Sequence, residues 1–147
     1  EDERGQRFEE DVARTFASLR NVEIMRSVRP AAAEEIDIVI RYRNRVAIVE
    51  CKTGNKAHKL DGVMQLSNLA SERYLGTYTS KILAVATDYR ARPNNMEAAN
   101  RHNVFVLELP DWEQRSRDES GTVRWSSTEV EGFQRALEFA FGPETRG

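Results

Sequence analysis

Residues 34–54 read EEIDIVIRYRNRVAIVECKTG, and how they are read decides the fold. Two apolar runs, 35–42 and 45–52, are separated only by Arg43 and Asn44. So short a connection predicts an antiparallel hairpin with a two-residue turn, in which Asn tolerates positive φ and Arg is less favoured in the first position. The turn fixes the register. Tyr42 faces Arg45, and counting back along both strands brings Asp37 opposite Glu50. Side chains alternate between faces, so Glu50 and Lys52 share a face with Val46 and Ile48, and Asp37 shares one with Glu35, Val39 and Arg41.

The flanking segments build an α/β fold around this hairpin. Phe8, Val12, Phe16 and Leu19 recur at helical spacing and predict a helix over 5–20. Residues 22–29 read as a strand ended by Pro30. Leu60, Val63, Met64, Leu66, Leu69 and Leu75 predict a helix over 58–75, with Gly76 as its stop. Residues 81–87 are nearly all apolar, as in a central strand covered on both faces. A helix over 93–102 begins at Pro93, and 104–109 is another strand. A polar loop follows, then TVRWSS as a short strand, then a helix over 129–141 that closes the core. The order αβββαβαβ predicts a mixed sheet flanked by helices, with a core over about 5–109 and a C-terminal extension over 110–147.

At 147 residues the chain reads as one domain. It begins without Met, as expected of a domain excised from a larger protein. No apolar run is long enough to span a membrane, and no signal peptide is evident. One cysteine, Cys51, excludes an internal disulfide and fits a cytoplasmic setting. The two histidines, His58 and His102, are far apart, which argues against zinc. A net charge of −2 argues against a protein that grips nucleic acid over its whole surface. It leaves room for a local basic cleft, built from Arg41 and Arg43 in the turn and from Lys56 and Lys59 beyond the hairpin.

Two carboxylates placed face to face, with Cβ atoms roughly 4.5–5.5 Å apart, repel each other. A divalent cation between them removes the conflict. Carboxylate oxygens and the Cys51 backbone carbonyl suit Mg²⁺ or Mn²⁺. Lys52 beside such an ion would orient or deprotonate a water, or neutralise charge on a phosphate, which is the equipment of phosphodiester hydrolysis. The same residues would also make a salt-bridged hairpin in which Lys52 neutralises both acids.

An acid on one strand followed by Glu50-Cys51-Lys52 on the next resembles the PD-(D/E)xK nuclease superfamily, the restriction-endonuclease-like fold. The runs E-I-D and V-E-C-K-T-G look most like the nuclease domain linked to CARF sensor domains in CRISPR ancillary nucleases. Ile36 stands where the family name has proline. The resemblance covers residues 5–109 and implies a metal-dependent endonuclease in antiviral defence. The family often adds an acid from the first helix, matched here by Gly5-Gln6-Arg7-Phe8-Glu9. At about 100° per residue Glu9 flanks the apolar stripe and Glu10 faces away, so Glu9 is expected at the site. The family also places a polar side chain on the helix after the lysine strand. Gln65 occupies that place, with Asp61 one turn earlier, and Gln65 would hold Lys52 or a water at the metal. Glu35 is a further candidate ligand. Implied partners are DNA or RNA, a second copy of the chain and a regulatory sensor domain. The competing reading is a non-catalytic nucleic-acid-binding or scaffolding module of the same fold.

Overall fold

The hairpin forms in the expected register. In this computed structural model, which describes residues 3–28, 35–54, 57, 61–71 (68–71 by backbone alone) and 79–144, β2 (Ile36–Tyr42) and β3 (Arg45–Lys52) pair antiparallel, with Tyr42 opposite Arg45 and Ile38 opposite Val49. The positive φ of the turn falls on Arg43, at 58°, rather than on Asn44. The Arg43 guanidinium lies 5.1 Å from the centre of the Tyr42 ring, a cation–π contact that offsets part of the strain.

β1 (Glu23–Val28) extends the sheet antiparallel to β2. β4 (Ser80–Val85) and β5 (Val104–Glu108) extend it on the other side, each parallel to its inner neighbour, giving the order β1-β2-β3-β4-β5. The interior strand β4 is apolar on both faces because both are covered. Ile82 and Ala84 enter one core, Leu83 and Val85 the other, and all four are fully buried.

The first core lies beneath α1 (Glu3–Leu19) and α4 (Ser127–Phe141). The predicted stripe of Phe8, Val12 and Phe16 is fully buried there against Ile38, Ile40 and Val49. The second core lies beneath α2 (Asp61–Ser71) and α3 (Pro93–Arg101), where Val63, Leu66 and Ala99 cover Ile48, Leu83 and Val85. Met64, expected in the buried stripe, is 44% exposed, because α2 presents Val63 and Leu66 to the sheet instead. His102 caps the end of α3, and its Nδ1 meets Ser67 Oγ at 3.1 Å, tying α3 to α2.

The C-terminal extension belongs to the first core. Trp112 packs edge-on against Phe8 at 4.9 Å, and Phe133 against Phe16 at 5.0 Å. Asp11 on α1 accepts hydrogen bonds from Trp112 Nε1 at 2.8 Å and from Arg117 Nη1 and Nη2 at 2.9 and 2.6 Å. The strand expected at TVRWSS reduces to a single bridge between Arg117 and Val123. Trp125 Nε1 bonds Thr15 instead, and Ser126 begins α4 with a reciprocal capping box to Glu129.

Candidate active site

Asp37 is the second residue of β2, and Glu50 and Lys52 lie near and at the end of β3, so all three sit at one end of the sheet. The register carried one step past Ile38–Val49 puts Asp37 beside Glu50. The Cys51 N–H donates to Asp37 Oδ2 at 2.9 Å and fixes that carboxylate. Lys52 gives its carbonyl to the N–H of Ala86 beyond β4. Alternation along a strand therefore turns the Cys51 N–H and carbonyl toward β2, the side of Asp37.

Glu50 is 1% exposed, and its Oε1 is buried with no hydrogen-bond partner. Burial pushes its carboxyl up to about 9, and the charge of Asp37 adds to the rise. The Lys52 ammonium and a hydrogen bond from the Asp37 backbone pull the other way without cancelling it. Lys52 Nζ stands 4.0 Å from Glu50 Oε2 and donates to Gln65 Oε1 at 3.3 Å. Gln65 on α2 thus holds Lys52, one of the two roles expected of it. Asp61 is the exposed first residue of the same helix.

Gly62 lets α2 come this close. A Cβ there would lie 2.7 Å from Leu83 Cδ1, too close without a shift, and 3.6 Å from Lys52 Cγ, an ordinary contact, so glycine lets the helix sit down on Leu83 beside the lysine stem. Beyond Lys52 the chain bends away at Gly54, whose φ is +60° and which lies beside the Arg4 side chain of α1.

Helix geometry separates Glu9 from Glu10 as the periodicity predicts. Glu9 is 2% exposed, whereas Glu10 is exposed and pairs with Arg14 at 3.0 Å. Glu9 does not stand alone: Arg26 of β1 donates to its Oε1 from Nε at 3.3 Å and from Nη2 at 3.2 Å. Both line a cavity of about 470 Å³ with Glu3, Gln6, Arg7, Glu10, Ser27 and Glu35, so Glu10 borders it from its exposed side. Ser27 has φ +55°, rare for a side-chain-bearing residue in a strand, and lies between the pairs Arg26–Ile38 and Val28–Ile36, hence beside Asp37.

Other expected site residues lie elsewhere. Arg41 and Arg43 border a separate cavity of about 490 Å³ with Asn21, Val22, Glu23 and Tyr42. That cavity is at the opposite end of the hairpin, some 20 Å from Asp37 at the usual rise per strand residue. The turn and the two carboxylates thus lie at opposite ends of the hairpin, with the length of the strands between them. Lys56, Lys59 and His58 lie outside the described residues. Among the described residues no three His, Cys, Asp or Glu side chains are grouped closely enough to hold a metal ion. Of the expected set, Asp37 and Glu50 stand side by side, and Glu9 faces Arg26. What the site does offer a divalent ion is chemically fitting: a buried, unsatisfied carboxylate oxygen on Glu50, a second carboxylate on Asp37, and the Cys51 carbonyl on the same side.

Sequence reasoning passed over Arg26 and Gly62. Gly62 left a trace, since a lone glycine in a helical pattern signals a packing reason. Arg26 left none, because its partner is 17 residues away on another element.

Among the described residues a five-stranded mixed sheet is flanked by four α-helices, an α/β fold that resembles restriction-endonuclease-like proteins. Can2 and AF1548 share the fold. Can2 from Sulfobacillus thermosulfidooxidans, solved in complex with cyclic tetra-adenylate, aligns over 92% of this chain and 33% of its own length, with TM-score 0.59 and 10% identity. The chain therefore spans about a third of Can2. A protein of unknown function, AF1548, aligns over 92% of this chain and 99% of its own, with TM-score 0.51 and 13% identity. The small subunit R.BspD6I2 of the heterodimeric restriction endonuclease R.BspD6I covers 91% of this chain and 86% of its own, with TM-score 0.48 and 13% identity. No protein-family model matches the sequence, and no curated protein matches it.

Proposed function

We propose that this chain is a metal-dependent nuclease that hydrolyses phosphodiester bonds of DNA or RNA. The observation that carries the reading is the Glu50 carboxyl, buried beside Asp37 with an unsatisfied oxygen and an ammonium 4.0 Å away. As a purely structural feature that arrangement is costly, whereas a divalent cation and a phosphate complete it. Asp37, Glu50 and the Cys51 carbonyl would hold Mg²⁺ or Mn²⁺, which when bound supplies Lewis-acid stabilisation and acidifies water.

The protein's own groups have separate tasks. The Cys51 N–H orients Asp37. The Lys52 ammonium, held by Gln65, meets the negative charge that develops on the phosphoryl oxygens. The close approach of α2 at Gly62 keeps the lysine stem in place. Opposed cuts on a duplex call for two such sites, so a second copy is the natural partner. Likeness to one third of Can2, a protein solved with cyclic tetra-adenylate, supports a role as the effector part of a regulated defence nuclease. No helix among the described residues is long and apolar enough to cross a membrane.

The test is incubation with supercoiled plasmid, single-stranded DNA and RNA, in Mg²⁺, Mn²⁺ or chelator, beside Lys52→Ala. Cleavage that needs the metal and disappears in the variant supports the reading and identifies the substrate. Metal binding without cleavage points to a missing activator. Absence of both cleavage and metal binding refutes the nuclease and favours a non-catalytic module of the same fold.

A further inference from the structure

We infer that Glu9 and Arg26 form a phosphate clamp, in which buried Glu9 orients the Arg26 guanidinium toward a nucleic-acid backbone and is not itself a metal ligand. The inference rests on the nuclease reading above and assigns a residue that reading leaves idle. Three observations carry it. Glu9 is 2% exposed and accepts two N–H groups of Arg26 at a single oxygen, so its charge is already matched. Arg26 is 39% exposed, so its guanidinium is held at one edge and open to solvent at the other. The cavity it lines includes Ser27, whose left-handed backbone stands beside Asp37, and Glu35, two residues before Asp37.

Arg26 leaves the sheet on the α1 side and Asp37 on the α2 side. The clamp therefore reaches the carboxylates around the end of the sheet, where Ser27 bends β1. Arg26 pairs with Ile38, the residue after Asp37, so clamp and carboxylates stand on adjacent strands at the same end of the sheet. A planar guanidinium fixed by a carboxylate is pre-organised for a phosphate, whereas a lysine there would supply charge without the fork. Glu9 thus acts through Arg26 and is a positioning residue.

Removing Arg26 alone takes two N–H donors from the buried Glu9 carboxylate, so the decisive variant is the neutral pair Glu9→Gln with Arg26→Gln. In a Lys52→Ala background, which prevents cleavage, binding of a fluorescent single-stranded oligonucleotide is followed against salt. The neutral pair should bind roughly tenfold more weakly and lower the log–log salt slope by about 0.7–1, the loss of one phosphate contact. Arg26→Lys should keep the slope and lose part of the affinity. Glu9→Gln alone should keep the slope, weaken binding severalfold, and leave Mn²⁺ affinity, measured by calorimetry, unchanged. A tenfold loss of Mn²⁺ affinity in Glu9→Gln would make Glu9 a metal ligand and overturn the clamp. An unchanged slope in the neutral pair would reduce it to a structural ion pair. If the parent chain binds Mn²⁺ but no oligonucleotide, clamp and nuclease fall together. If the parent chain cleaves and the neutral pair keeps its slope, the clamp alone falls.

Discussion

Replacing Glu50 with Gln should stabilise the metal-free protein at alkaline pH. The Glu50 carboxyl is pushed up to about 9 by burial and by Asp37, against an ordinary value of 4.5. Between those two values the folded state holds a proton that the unfolded state has released. The favourable contribution of this group is whole below 4.5 and is lost as pH rises toward 9. Each unit is worth about 1.4 kcal/mol, so near pH 8 the ceiling is about 5 kcal/mol. Water entry and relaxation around the pair bring the expected figure to about 2–4 kcal/mol. Gln keeps the shape and carries no titrating proton. Urea unfolding in chelator, from about pH 5 to about pH 9, should show the two proteins nearly equal at the acid end. They should diverge steadily above it, with the variant more stable. Mn²⁺ should then stabilise the parent protein and leave Glu50→Gln almost unmoved, because a ligand of the folded state at free concentration L adds stability as RT ln(1 + L/Kd) and loss of the carboxylate raises Kd. Parallel pH profiles, or a variant less stable at pH 8, would mean that Glu50 ionises without cost. The case for a cation between the carboxylates would then fail.

Other substitutions separate chemistry from scaffold. Lys52→Ala should lower cleavage by about 10²–10⁴-fold with little change in Mn²⁺ affinity, and Gln65→Ala by roughly 10–100-fold, both read from initial rates. Gly62→Ala should cost about 1–3 kcal/mol despite its higher helix propensity, because the added methyl meets fully buried Leu83 at 2.7 Å. It should also slow cleavage by displacing the lysine stem, and a gain in stability would contradict the packing. Asp11→Ala should destabilise by about 1–3 kcal/mol in urea, since Trp112 loses its acceptor and Arg117 its carboxylate partner, keeping only the Gly121 carbonyl. Ser126→Ala should cost about 1 kcal/mol as α4 loses its cap.

The hairpin was the most legible part of the chain for a mechanical reason. A two-residue turn leaves one register, and that register alone sets Asp37 against Glu50. The split between Glu9 and Glu10 was legible too, because one apolar stripe defines the inward face of α1. The role of Glu9 was not. Its partner Arg26 comes from a strand whose pairing with β2, not with α1, sets its position. The C-terminal segment misled for a similar reason. Val123 and Trp125 alternate as a strand would, yet Trp125 is drawn to Thr15, 110 residues earlier. The S-x-x-E signature of the capping box stood in the sequence and marks the start of α4 better than the apolar run does. Met64 shows the limit of periodicity in a short helix. Two residues, Val63 and Leu66, suffice to cover the sheet, and the neighbouring apolar side chain stays out.

The places where this chain departs from rules of stability are not scattered. A buried carboxyl lacks a partner at Glu50, a like charge stands beside it at Asp37, Ser27 bends a strand into the left-handed region, and Gly62 weakens a helix. All four lie at the end of the sheet where β3 finishes and β2 begins. The remaining left-handed residues with side chains, Arg43 and Asn103, occupy turns, where such backbone is ordinary. At the far side of α1, by contrast, buried Asp11 is met by Trp112 and Arg117, and the extension is fastened by ordinary means. A protein optimised only to fold would spread its strain or remove it. Strain gathered around two carboxyls and a lysine is what the proposed nuclease site requires, and it is the reason that reading looks to this end of the sheet.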